Sequence, residues 1–152
     1  MAVRASREIV IDAPLERILD VIADFDAVPT WSSIHRSAEI VDRFPDGRPH
    51  RVKVTIKVVG LVDRELLEFQ WGPDWVLWDA IATFHQHGQH GEYTLHAEEP
   101  DRTRVEFAVT WEPSALLPGF LVNRARNQVL TAATDGLRSR VMTVLATGKS
   151  GT

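Results

Sequence analysis

Residues 103–111 read TRVEFAVTW, and residues 121–145 read LVNRARNQVLTAATDGLRSRVMTVL. In the shorter stretch Val105, Phe107, Val109 and Trp111 fall on one face of a strand, with Arg104, Glu106 and Thr110 on the other. In the longer stretch Leu121, Ala125, Val129, Ala132, Ala133, Leu137, Val141, Val144 and Leu145 recur at helical spacing. A helix of that span is about 38 Å long. It is the one element large enough to cover a sheet, and a sheet with one apolar face must be covered. A strand pattern that gives way to a long amphipathic helix therefore sets the fold class.

Working outward, the segments before residue 103 are strands and turns. VKVTIKV (52–58) alternates, with Val52, Val54, Ile56 and Val58 on one face. ELLEFQW (65–71) puts Glu65, Leu67, Phe69 and Trp71 on one face. WVLWDAIATF (75–84) and EYTLHAE (92–98) are further strands. PDGRP (45–49), Gly60, GPD (72–74) and EPDR (99–102) supply the turns between strands. Toward the N-terminus, REIVIDAP (7–14) is a strand running into a helix. Asp12 is placed to cap that helix and Pro14 fits its first turn. Leu15, Ile18, Leu19 and Ile22 give it an apolar face. Pro29, within DFDAVPTWSS (24–33), ends regular helix there and leaves a short second helix or turn. PSALLPGF (113–120) breaks the sheet pattern ahead of the long helix, and TGKSGT (147–152) reads as a frayed tail. The expected architecture is α+β. A curved antiparallel sheet of about six to seven strands wraps a long C-terminal helix, with two short helices after strand 1.

The whole chain suits one domain, residues 1–146, with a sizeable core and a tail from 147. A net charge of -4 argues against a basic nucleic-acid surface. The absence of cysteine excludes disulfides and thiolate metal sites. No apolar run approaches the roughly 20 residues of a membrane-spanning helix, and the N-terminus lacks a signal-peptide apolar block. The cytoplasm is the default compartment, with transient membrane contact and oligomeric state left open. Five Trp and six Phe against one Tyr is a heavy load of large apolar side chains, which need a core or a pocket.

In this order of elements the chain resembles the START-like (SRPBCC) superfamily, in its polyketide cyclase/dehydrase and coenzyme Q-binding branch. IDAPLERILDVIADFDAVPTW (11–31) carries the resemblance near the start: a strand, an Ala-Pro helix start and a Trp after the second helix. HGEYTLHAEEPDRTRVEFAVTWEPSALLPGF (90–120), followed by the long helix, carries it in the second half. The resemblance implies the helix-grip fold, with a cavity between sheet and helix that takes apolar small molecules such as lipids, quinones or polyketides. Some such proteins cyclise or dehydrate polyketides, and others are carriers or chaperones.

Trp31, Trp71, Trp78, Phe107, Trp111, Phe120 and Leu121 are the candidate ligand-binding residues. The alternative for each is ordinary core or hinge packing. LLPGFL (116–121) is read equally well as a portal flap or as a packed helix start. FHQHGQHGEY (84–93) raises the question of a metal. His85 and His87 share a strand face, and His90 or Glu92 would complete a zinc-like set. Gly88 and Gly91 in the same stretch favour a hairpin turn, so no metal and no cofactor are expected there. Asp79 has apolar neighbours and would make a general acid or base if buried, but its alternation with Trp78 points it to solvent. No catalytic residue is assigned. The reading is a carrier or chaperone for an apolar small molecule. An aromatase/cyclase-type enzyme and a protein-interaction module with a filled cavity stand as alternatives.

Overall fold

The structure is a computed structural model that describes residues 2–83, 86–113 and 116–147, with the backbone alone at residues 82, 83, 86 and 87. Strand β1 (Val3–Ile11) leads into helix α1 (Leu15–Ala23), and a four-residue helix α2 (Val28–Trp31) follows. Six strands come next: β2 (His35–Arg43), β3 (Pro49–Val58), β4 (Leu61–Trp71), β5 (Trp75–Thr83), β6 (Gln86–Glu99) and β7 (Arg102–Pro113). Helix α3 (Gly119–Thr131) continues through a π-helical segment (Ala132–Gly136) into α4 (Leu137–Ala146).

The seven strands form one antiparallel sheet in the order β1-β7-β6-β5-β4-β3-β2. Helices α1 and α2 carry the chain from one edge strand to the other, and each later strand pairs with its predecessor. Register shifts at His35/Ser37, Ile40/Asp42, Leu66/Leu67 and Ala97/Glu99 are bulges, which bend strands and add twist. The sheet curls around the C-terminal helices as a result. Its inner face buries Val52, Val54, Leu67, Phe69, Leu95, Val105 and Phe107 against Leu137, Val141 and Val144. This is the helix-grip arrangement of the START fold.

Three local expectations are corrected. Asp12 does not cap α1. The residue preceding that helix is Pro14, with no side-chain cap, and Asp12 accepts a hydrogen bond from Arg102 Nε at 3.0 Å. Asp12 lies too far ahead of the first helical N–H groups and instead ties the β6–β7 turn to the end of β1. Gly88 and Gly91 are not turn residues but lie inside β6. Gly88 takes a φ of +124° at a register shift between Gln86 and Gln89, and Gly91 sits opposite Trp78. The long helix is also not uniform. Its inward face runs through Val122, Ala125 and Val129, so Leu121 is one residue out of phase and only partly buried.

Candidate functional site

A cavity of about 170 Å³ lies between the inner sheet face and α3 with its π segment. Its floor is aromatic because inward positions on adjacent strands carry rings at matching heights. Trp78 pairs with Phe69 on one side and Gly91 on the other, and Tyr93 pairs with Phe107. Ring centroids stand 5.5 Å apart for Phe69–Trp78, 5.8 Å for Trp78–Tyr93 and 5.0 Å for Tyr93–Phe107. Phe25, from the loop after α1, meets Phe69 edge-on at 5.0 Å. Offset and edge-to-face geometries of this kind are favourable beyond the area they bury.

Gly91 makes this floor possible. A Cβ there would lie 2.2 Å from Trp78 Cζ2, so the indole occupies the space that a side chain would need. Gly91→Ala is expected to force Trp78 out of place, destabilise the protein by about 1–3 kcal/mol and disturb the cavity. Urea unfolding and indole emission read both effects. Unchanged stability together with unchanged emission would contradict this packing.

The roof comes from the π segment. Ala132 and Ala133 face the cavity, and the Tyr93 hydroxyl donates to the Ala133 carbonyl at 2.8 Å. Burial raises the Tyr93 pKa, so the group stays a neutral donor. Gly136 closes the segment against α2, where a Cβ would lie 2.7 Å from the Trp31 carbonyl oxygen. Small residues in one wide helical turn thus let the helix approach α2 while leaving space over the floor.

Few polar side chains reach the wall. Trp78 Nε1 donates to Gln89 Oε1 at 3.1 Å, and Gln89 Nε2 donates to the buried Glu65. Asp63 lies two residues before Glu65 on the same strand face and is buried at the cavity wall. Two strands from Asp63 in the same row, the turn from α2 into β2 brings Ser32 Oγ within 2.6 Å of His35 Nδ1. Burial pushes the His35 pKa down to about 4, so the ring is neutral at pH 7.

The mouth lies at the β3–β4 hairpin. Val59, Leu61 and Val62 line it from the sheet side and Leu117 from the segment before α3. Val59 adopts a φ of +45°, a strained conformation for a β-branched residue. Its N–H donates to Gln128 Oε1 at 2.9 Å, which fastens the hairpin to α3.

Of the candidate residues, Trp31, Trp78, Phe107 and Trp111 line the cavity. Trp71, Phe120 and Leu121 are not among its lining residues. Trp71 shares the inner face of β4, but at its far end. There Nε1 donates to the Pro49 carbonyl at 2.7 Å and Arg48 covers the ring at 5.2 Å. Phe120 is 65% exposed in the first turn of α3. Sequence reasoning passes over Ser32, His35 and Gln89 as lining residues. The spacing of Ser32 and His35 across a turn is the one available signal for that pair.

Asp79 is exposed and bonds His90 Nδ1 at 2.8 Å, while His90 Nε2 lies 3.5 Å from Glu92. The Asp79 hydrogen bond raises the His90 pKa. His85 falls outside the described residues and His87 is described by its backbone alone. Among the described residues no group of three His, Asp or Glu is arranged to hold a metal ion. Nor is any helix among them long and apolar enough to cross a membrane.

Solved structures share this geometry. A START superfamily protein from Mycobacterium smegmatis superposes with a TM-score of 0.82 at 20% identity, over 93% of this chain and 98% of that one. The Zhui aromatase/cyclase from Streptomyces sp. R1128 gives 0.81 at 11% identity, over 98% of this chain and 99% of that one. A protein of Thermus thermophilus gives 0.76 at 24% identity, over 95% of this chain and 99% of that one. At these identities the likeness is one of fold. No curated protein matches the chain by sequence. The family model described as polyketide cyclase/dehydrase and lipid transport matches residues 2–142. With that match spanning nearly all of its length, the chain belongs to the polyketide cyclase/dehydrase and lipid transport family.

Proposed function

We propose that this protein binds an apolar small molecule in the cavity between sheet and helix, as a carrier or chaperone. The observation that carries the reading is the cavity itself, which is floored by aromatic rings and opens at an apolar mouth. Its volume of about 170 Å³ is close to that of cavities that accept benzene (roughly 150 Å³). It is below the roughly 300 Å³ at which pockets for drug-sized ligands begin. A ligand of one or two rings suits it without rearrangement, and a longer polyketide or lipid requires the β3–β4 hairpin to move. Shielding about 200 Å² of ligand surface contributes about 5 kcal/mol before ordering costs, so affinity for a purely apolar ligand is modest.

A second reading, an aromatase/cyclase-type enzyme, is favoured by one observation: Ser32, His35 and Gln89 bring polar groups to the wall. Turnover of a poly-β-ketone would separate the two readings. The interaction-module reading calls for a filled interior and gains no support from an open cavity.

Native mass spectrometry of the purified protein, followed by titration of any co-purified molecule against indole emission, tests the binding reading. Trp111→Ala is expected to weaken the response at least several-fold while the protein still unfolds cooperatively. An unaltered response in Trp111→Ala would place the ligand elsewhere.

A further inference from the structure

The cavity wall is asymmetric in charge. Asp63 lies on it, and Gln89 on the same wall is hydrogen-bonded to buried Glu65. Among the described lining residues there is no Lys or Arg. A ligand carboxylate entering this space would lose its hydration and approach one or two acidic side chains.

Two strands across in the same row of the sheet stands the Ser32–His35 pair, with Ile56 between His35 and Asp63. The ring is held by Ser32 Oγ at Nδ1, and Nε2 has no hydrogen-bond partner among the described residues. With Nδ1 accepting from the Ser32 hydroxyl, Nε2–H is a donor. In the other tautomer Nε2 is an acceptor. Either form can satisfy a hydroxyl, and the first also satisfies a carbonyl. The ring stays neutral at pH 7, so it offers no full charge to attract an anion.

We propose that His35, positioned by Ser32, is a hydrogen-bonding subsite for an uncharged ring ligand bearing a hydroxyl or carbonyl oxygen, and that the acidic wall excludes carboxylates such as fatty acids. The proposal rests on the cavity-binding reading and narrows it. It assigns a polar anchor and a charge preference to a site otherwise defined by apolar contact. The aromatic floor takes the ring, and the oxygen is directed toward the α2–β2 turn. His35 touches the ligand, and Ser32 is a positioning residue that holds the orientation of the imidazole.

Naphthalene, 2-naphthol and 2-naphthoate share one shape and differ in this single group. Their dissociation constants are to be measured at pH 7 on the wild type and on His35→Phe, which keeps a ring but removes the hydrogen bond. In the wild type 2-naphthol should bind several-fold to tenfold tighter than naphthalene, and 2-naphthoate at least tenfold weaker than 2-naphthol. In His35→Phe the advantage of 2-naphthol should vanish while naphthalene binding persists. Ser32→Ala should reduce the advantage in part. Equal binding of naphthalene and 2-naphthol to the wild type would overturn the subsite and leave the cavity reading standing. So would an advantage that survives in His35→Phe, or tight 2-naphthoate binding. No binding of any of the three would sink both. The wild-type series decides the matter even where His35→Phe fails to fold.

Discussion

Leu137→Asp should abolish cooperative folding or lower stability by about 4 kcal/mol or more. Leu137 opens α4, is fully buried, and belongs to the core cluster that joins the sheet, α1 and α4. Its replacement by a carboxylate loses apolar contact and buries a charge in the apolar core. The C-terminal helix is the cover that the sheet requires, so the damage is global. Circular dichroism and urea unfolding read it directly. A soluble Leu137→Asp variant with wild-type melting would show that the helix does not pack as described.

Acidification should destabilise the protein between about pH 6.5 and pH 4 through His35. The folded pKa is depressed to about 4, below the unfolded value of 6.5. In that window the unfolded chain therefore binds more protons than the folded one, and stability falls as pH falls. Below the folded pKa the contribution levels off. The full difference converts to roughly 3 kcal/mol, and residual exposure of the ring to the cavity reduces it to about 2 kcal/mol. His90 opposes the trend weakly, because its pKa is raised by Asp79 and it favours the folded state at low pH. The wild type should lose stability relative to His35→Phe as pH falls across this range. Parallel curves would remove His35 from the account.

Much of this fold is legible in the sequence because its two periods are clean. VKVTIKV and TRVEFAVTW alternate, and Val52, Val54, Val105 and Phe107 are buried as that alternation requires. The stripe through Ala125, Val129, Leu137 and Val141 faces the sheet as its spacing requires. The period fails only at the ends of the long helix and at its π segment, where one extra residue per turn cannot be seen in an apolar pattern.

The site is less legible, for a physical reason. Alternation says which face a residue occupies but not how far along the strand it sits relative to the covering helix. Trp71 and Trp78 both turn inward, yet only Trp78 lies beneath the cavity. Gly91 reads as a turn residue in isolation, and its role as the seat of an indole depends on the register of β5 and β6. In the sequence the histidines cluster at residues 85–90 and draw the eye there. Among the described residues the histidine at the cavity is His35, which stands alone in sequence and gains its partner only when the chain turns from α2 into β2.

The five indole N–H groups provide the most direct test of the central claim, that a ring ligand enters between sheet and helix. Trp31, Trp78 and Trp111 line the cavity, whereas Trp71 and Trp75 do not. In a ¹⁵N-labelled sample titrated with 2-naphthol, saturable shifts are expected at the first three indole resonances and little change at the other two. Shifts confined to Trp71 and Trp75, or none at any indole up to ligand saturation, would contradict it.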